Sequence, residues 1–196
     1  MHSLTESGSG YFGTELKLVT FVLIGLCLTV TACGGRIEHN GRNVKDVVPQ
    51  SQQQAQDTVF GYLKRTLDGL PSGTVLDGTR YGSAGSTSYC DDNDSSPTAP
   101  RNFSTTGELH SPPGIDNGTT VRNVGEVWRS WGWNVTERDE FRKPNQFGYG
   151  PDGYRLQIVS ASPTSFPPTV GATSPCYPGT IARNDIGFPM QITSGS

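Results

Sequence analysis

The chain has 196 residues, a formal net charge of −3, and acidic and basic side chains interspersed along its length. It has no basic stripe to suit nucleic acid and no acidic tail to suit a charge-driven partner. Twenty-five glycines and 14 prolines predict a loop-rich fold, while eight phenylalanines, seven tyrosines and three tryptophans suffice for a packed core and exclude global disorder.

Residues 18–32 (LVTFVLIGLCLTVTA) form an uncharged apolar run. It is shorter than the roughly 20 residues that span a bilayer. It has the size of a signal-peptide core, and Lys17 supplies the positive charge on its cytoplasmic side. The run ends in Val30-Thr31-Ala32-Cys33. An aliphatic residue, two small residues and a cysteine resemble the lipobox of bacterial lipoproteins. The resemblance implies that 1–32 is a signal peptide cleaved between Ala32 and Cys33. It also implies that the Cys33 sulfur carries a lipid and holds the chain on the extracytoplasmic face of the cell membrane. The residue types suit that chemistry: a thiol is the nucleophile that forms a thioether, and small side chains let a peptidase reach the scissile bond. The residues alone leave open ordinary secretion after a small-residue cleavage site, and a buried helix of an unexported protein. Residues 33–49 read as the lipidated N-terminus and a polar, flexible tether in which His39 is solvated. Residues 50–196 then form a single α+β domain.

Ser51 and Gln54 fit a capping box, and Ala55, Val59, Leu63, Leu67 and Leu70 recur at helical spacing, so a helix is expected from Ser51 until Gly69 and Pro71 end it. A strand follows over 74–81. Residues 82–100 are rich in Gly, Ser, Asp and Pro and read as a loop, with Cys90 within it or at the end of a strand. A strand over 101–109 is broken by Pro112, Pro113 and Gly114. Val121, Val124, Val127, Trp128 and Trp131 predict a second helix over 119–131, with Gly132 as its stop. Alternation predicts half-buried strands over 133–141 and 154–159, joined by a long hairpin loop over 142–153. The Pro-rich tail holds a last strand over 169–177. The order predicts an α+β fold: an antiparallel sheet with two helices packed on one face, loop-rich, with one disulfide.

That disulfide is expected between Cys90 and Cys176, because removal of the first segment leaves only this pair beside Cys33, and an exported domain oxidises such a pair. Two separate buried thiols are the alternative. The bridge would close a loop of roughly 85 residues, worth about 4 kcal/mol in the chain-entropy model.

Several stretches are similar to small lipoproteins of mycobacteria and their relatives: Tyr62-Leu63-Lys64-Arg65-Thr66-Leu67 with 71–81, then 128–133, Phe141-Arg142-Lys143-Pro144 through Tyr154-Arg155-Leu156, and Ser174-Pro175-Cys176-Tyr177-Pro178. The resemblance implies an envelope location and carries over no catalytic residue.

Candidate chemistry is sparse. Gly148-Tyr149-Gly150-Pro151-Asp152-Gly153 matches GxGxxG, but a strand rather than a helix is expected after it, and Pro-Asp-Gly is turn chemistry. Asp91, Asp92, Asn93 and Asp94 cluster oxygen ligands without the Gly and Glu of a calcium loop, so they read as a solvated acidic loop. His110, beside Glu108, is the one histidine of the domain, too few for zinc, so no metal site and no cofactor are expected. Trp128, Trp131 and Trp133 sit at core spacing, although with Arg129 they would also suit a ligand platform. Arg138, Arg142, Lys143 and Arg155 make a modest basic patch weakened by Glu137, Asp139, Glu140 and Asp152. Under the bacterial reading, the sequons at Asn93, Asn102, Asn117 and Asn134 are chance in a Ser/Thr-rich chain. The leading expectation is a non-enzymatic envelope lipoprotein, held to the membrane by its N-terminal lipid. Its domain binds an envelope protein, lipid or glycan, and no nucleic acid. One alternative is an envelope hydrolase using Asp91, Asp92 or Glu108 as acid and base. Another is a lipid carrier with a cavity between helices and sheet.

Overall fold

The structure, a computed structural model, describes residues 47–82, 84–183 and 185–194, all within one compact unit, Asn40–Ser196. The expected signal peptide, the Ala32/Cys33 cleavage and lipidation site and most of the tether lie outside the described residues.

The described elements are, in chain order, α1 (Gln52–Asp68), β1 (Val75–Asp77), β2 (Ser86–Tyr89), β3 (Arg101–His110), α2 (Asn117–Ser130), β4 (Asn134–Thr136), β5 (Asn145–Tyr149), β6 (Arg155–Val159), β7 (Thr169–Thr173) and β8 (Gln191–Thr193). The eight strands form one antiparallel sheet in the order β4-β5-β6-β7-β3-β1-β8, with β2 also paired to β3. Both helices bury their apolar stripes in one core with Leu76, Leu109, Leu156, Ile158, Val170 and Ala172 of the sheet. The expected fold class is the one the chain adopts.

The local signals explain α1 and α2. The Ser51 hydroxyl accepts from Gln54 N at 3.0 Å, while the Gln54 side chain reaches back one residue further than expected, to Gln50 N at 2.6 Å. Ala55, Val59, Leu63 and Leu67 make the buried stripe. Helix α2 starts two residues before its expected start, where Asp116 caps it: its carboxylate accepts from Thr119 N at 2.8 Å. Gly132 takes φ +79° just past its end.

Four expectations need correction. The strand over 74–81 shrinks to Val75–Asp77, because the Asp77 carboxylate accepts from Thr79 N at 2.8 Å and turns the chain into a short 3₁₀ turn, Thr79–Tyr81. Part of the 82–100 loop is β2, a polar strand (STSY) placed by pairing with β3. Residues 142–153 are no hairpin loop: β5 lies within them and pairs with both β4 and β6, and the strand expected over 133–141 narrows to Asn134–Thr136. Strand β8 pairs with β1 and lies in a tail read as irregular.

The packing of α2 on β5 gives the physical reason for the largest miss. Strand β5 reads NQFGY, with polar residues where a core strand usually has apolar ones. Asn145 is fully buried: its Oδ1 accepts from Arg138 N and its amide donates to Arg138 O, both at 2.9 Å, so it organises the preceding loop. Gln146 accepts from the Arg129 guanidinium at 2.6 Å. Gly125 and Gly148 permit the close approach: a Cβ on Gly125 would lie 2.6 Å from the Gln146 amide oxygen, and one on Gly148 would lie 2.9 Å from the Trp128 ring.

Candidate ligand groove and the open sheet face

The first half of α1 faces two ways. Ala55 and Val59 seat it on the sheet, and Gln53, Gln56, Asp57 and Phe60 turn toward the C-terminal segment. That segment is tied to the helix where Gln52 Oε1 accepts from Arg183 N at 2.5 Å. The result is a groove of about 430 Å³ between α1 and the chain from Gly187 to Thr193. A neighbouring hollow of about 480 Å³ shares Gln53 and Gly187 with it. The apolar lining is Phe60, Phe188, Pro189 and Ile192. Phe188 meets Phe60 edge to face at 6.2 Å and Phe103 at 5.1 Å, so its ring is braced from the core side.

Gln56 is the unusual member of this lining. It is 3% exposed, and its Oε1 is buried with no hydrogen-bond partner. Leaving such a carbonyl unpaired costs about 1–3 kcal/mol. Its neighbour Gln53 donates to Asp57 Oδ1 at 2.7 Å instead. The groove therefore offers aromatic surface, one unpaired acceptor and a carboxylate, with no Lys or Arg in its lining. A ligand with an apolar group and an N–H or O–H donor fits this chemistry; an anionic headgroup does not.

The second feature is the sheet face away from the helices. One end of it is a paired network. Arg80 meets Glu108 at 2.6 Å, and His110 Nε2 lies 3.6 Å from the other Glu108 oxygen. Gln191 donates to Asp77 at 2.8 Å, and the Tyr81 and Thr169 hydroxyls meet at 3.2 Å. Hydrogen bonds from Thr79, then from Gln191, with the nearby His110, hold the Asp77 carboxyl below the usual carboxylate range. At the other end lies a concavity of about 220 Å³ around Gly171.

The residues singled out in the sequence are scattered. Cys90 and Cys176 are bridged, with an S–S distance of 2.12 Å and Cα atoms 6.3 Å apart. Gly148–Gly153 spans the end of β5 and its turn into β6, and no helix follows it. In the acidic loop, Asp91 accepts from Asn93 N at 2.9 Å and Asp94 from Ser96 N at 3.0 Å, the hydrogen bonds of local turns. Among the described residues no group of three or more His, Cys, Asp or Glu side chains is placed to hold a metal ion. Asp91 follows β2 beyond the partner of Arg101, and Glu108 stands seven residues farther along β3, so roughly 24 Å of strand separates these carboxylates. Paired acid and base carboxylates stand far closer, within about 10 Å.

Trp128 is fully buried and donates from its indole to Thr66 at 3.0 Å. Trp133 is also buried, and Trp131 lies half-buried against Tyr62 with the Arg65 guanidinium 4.4 Å above its ring. These tryptophans are core and core edge. The basic patch is broken up: Lys143 pairs with Glu137 and Asp139, and Arg138 with Glu140. Gln56 and Phe188 went unnoticed in the sequence. The available signal was Gln52 and Gln56 falling on the buried stripe of α1, where polar residues demand a reason.

No helix among the described residues is long and apolar enough to cross a membrane. Compared with family models, curated proteins and solved structures, the chain matches none.

Proposed function

We propose that the chain is a bacterial envelope lipoprotein, anchored through lipid on Cys33 at the extracytoplasmic face of the cell membrane, and that its α+β domain is a binding module. The groove beside α1 takes an extended peptide segment of an envelope protein. Phe60, Phe188 and Pro189 receive an apolar side chain, and a backbone N–H of the peptide donates to Gln56. The observation that carries the binding reading is the unpaired, buried Gln56 oxygen in the lining of that groove. Absence of a cation from the lining favours a peptide over an anionic lipid. The lipobox-like Val30-Thr31-Ala32-Cys33 supports the anchor, and the Cys90–Cys176 bridge supports an oxidising compartment.

Two measurements test this. Intact mass of the protein extracted from its own membrane should equal Cys33 to Ser196 plus acyl chains, less two protons for the bridge. An unlipidated mature chain would replace anchoring with secretion, and an unprocessed chain would end the export reading. For the groove, peptides selected by display against the mature protein should share an apolar anchor and lose at least about tenfold in affinity on Phe60→Asp or Gln56→Leu. Peptides indifferent to both substitutions, or no enrichment, would remove the binding reading. Co-purified lipid in the native mass would move the assignment to a carrier.

A further inference from the structure

We infer that the open face of the sheet carries a second binding site, separate from the groove, for a sugar bearing an anionic group. The site is the concavity of about 220 Å³ centred on Gly171. Register puts Arg155 between Tyr149 and Thr173 in one row across β5, β6 and β7, and Gln157 beside Gly171 in the next. Gly171 leaves the floor open: a Cβ there would stand 3.3 Å from the Gln157 amide nitrogen and crowd it. The fourth wall is Arg138, whose guanidinium lies over the Phe141 and Phe147 rings at 5.4 and 5.0 Å and is held by Glu140 at 2.5 Å.

What distinguishes this end of the face is that its polar groups are not used on one another. Among the described residues, the Arg155 guanidinium has no carboxylate partner, and the Tyr149 hydroxyl, Gln157 amide and Thr173 hydroxyl make no side-chain hydrogen bond. A few residues along the same face, Arg80, Glu108, Asp77, Gln191, Tyr81 and Thr169 are all paired. Two guanidiniums against the single carboxylate of Glu140 leave the concavity positive, which selects an anionic group. Arginine meets carboxylate or phosphate oxygens with a planar pair of N–H donors. An amide and two hydroxyls offer both donors and acceptors, which match the vicinal hydroxyls of a sugar ring. Arg138 is fixed by its stacking and its ion pair, so little side-chain freedom is lost when a ligand docks against it.

Saturation-transfer NMR on the full mature protein tests this, with glucuronate and glucose 1-phosphate as probes, glucose and acetate as controls, and inorganic phosphate as a control read by its competition with the probes. The probes should bind in the millimolar range, more tightly than any control, and the stronger of the two identifies the anionic group. Arg155→Gln should weaken binding at least about tenfold. Gln157→Glu, which cancels the local excess of positive charge without a change of size, should do the same, and added salt should weaken binding severalfold. Lys64→Gln, on α1 and so across the sheet from this face, should change nothing. The inference is overturned by no saturation transfer to either probe, or by binding of acetate or inorganic phosphate as tight as that of the probes. Binding that survives both Arg155→Gln and Gln157→Glu places the sugar elsewhere and also overturns it.

Discussion

The two faces of the one sheet obey opposite rules. On the face beneath the helices the polar groups packed between helix and sheet are closed by partners, Gln146 by Arg129 and the Trp128 indole by Thr66. On the open face, Tyr149, Arg155, Gln157 and Thr173 carry no such partners among the described residues. Water explains the difference. A polar group cut off from water must find a protein partner or cost about 1–3 kcal/mol, whereas a solvated one costs nothing to leave available. The covered face can therefore be read for stability and the open face for recognition. Among the described residues the Gln56 oxygen, the Tyr177 hydroxyl and the Arg101 Nε are buried without a partner, and of these Gln56 alone lines the groove, which is why it marks a site.

Substitutions should separate the faces. Trp128→Ala should cost about 3–5 kcal/mol in urea unfolding, since it removes a fully buried indole. Thr173→Ala on the open face should stay within about 0.5 kcal/mol. Similar costs for the two would dissolve the contrast.

The disulfide comes next. Both β2 and β7 pair with β3, and the bridge joins the residue after β2 to the chain beyond β7. Cys90→Ser with Cys176→Ser should cost about 4 kcal/mol, from a cross-link spanning 86 residues. Amide exchange should rise first in β2, which pairs with β3 alone. Equal stability of the oxidised and reduced protein would refute this.

Gly148→Ala tests the closeness of α2 to β5. The new Cβ would stand 2.9 Å from the Trp128 ring, so about 1–3 kcal/mol of overpacking is expected in the same unfolding assay. A neutral result would mean that the helix moves outward freely.

The smallest effect is alkaline. Burial raises the Tyr62 hydroxyl above its ordinary value, aided by its 2.5 Å hydrogen bond to Asp152. Burial also raises Tyr154, and it pushes Tyr177 up to about 12. The folded state therefore keeps these protons where the unfolded chain has lost them. Stability from these groups is fully present below about pH 10, the unfolded tyrosine value, and falls as pH rises through the folded values. Denaturation midpoints measured from pH 9 to 12 should decline, and Tyr62→Phe should flatten part of the decline. A midpoint unchanged across that range would contradict the burial argument.

Legibility in the sequence followed periodicity. Helix α1 was readable because Ala55, Val59, Leu63 and Leu67 repeat at helical spacing behind a Ser51 cap, and β6 because Leu156 and Ile158 alternate with Arg155 and Gln157. Strand β5 was not, because Asn145 and Gln146 look like loop residues until Arg138, Arg142 and Arg129 arrive to pair with them. Strands β2 and β8 are short and polar, and exist through what they pair with. The candidate groove was illegible for a related reason: Gln52 and Arg183, which join its walls, are 131 residues apart.

The sequence by itself determined the α+β class, both helices, the cysteine pair and the tryptophans as core, because each rests on a local repeat or on a count. Only the tertiary structure decided the place of β5 inside the sheet, the isolation of the Gln56 oxygen, and the split of one sheet into a sealed face and an open one. Those depend on which distant groups meet, and on which polar atoms lose contact with water when they do.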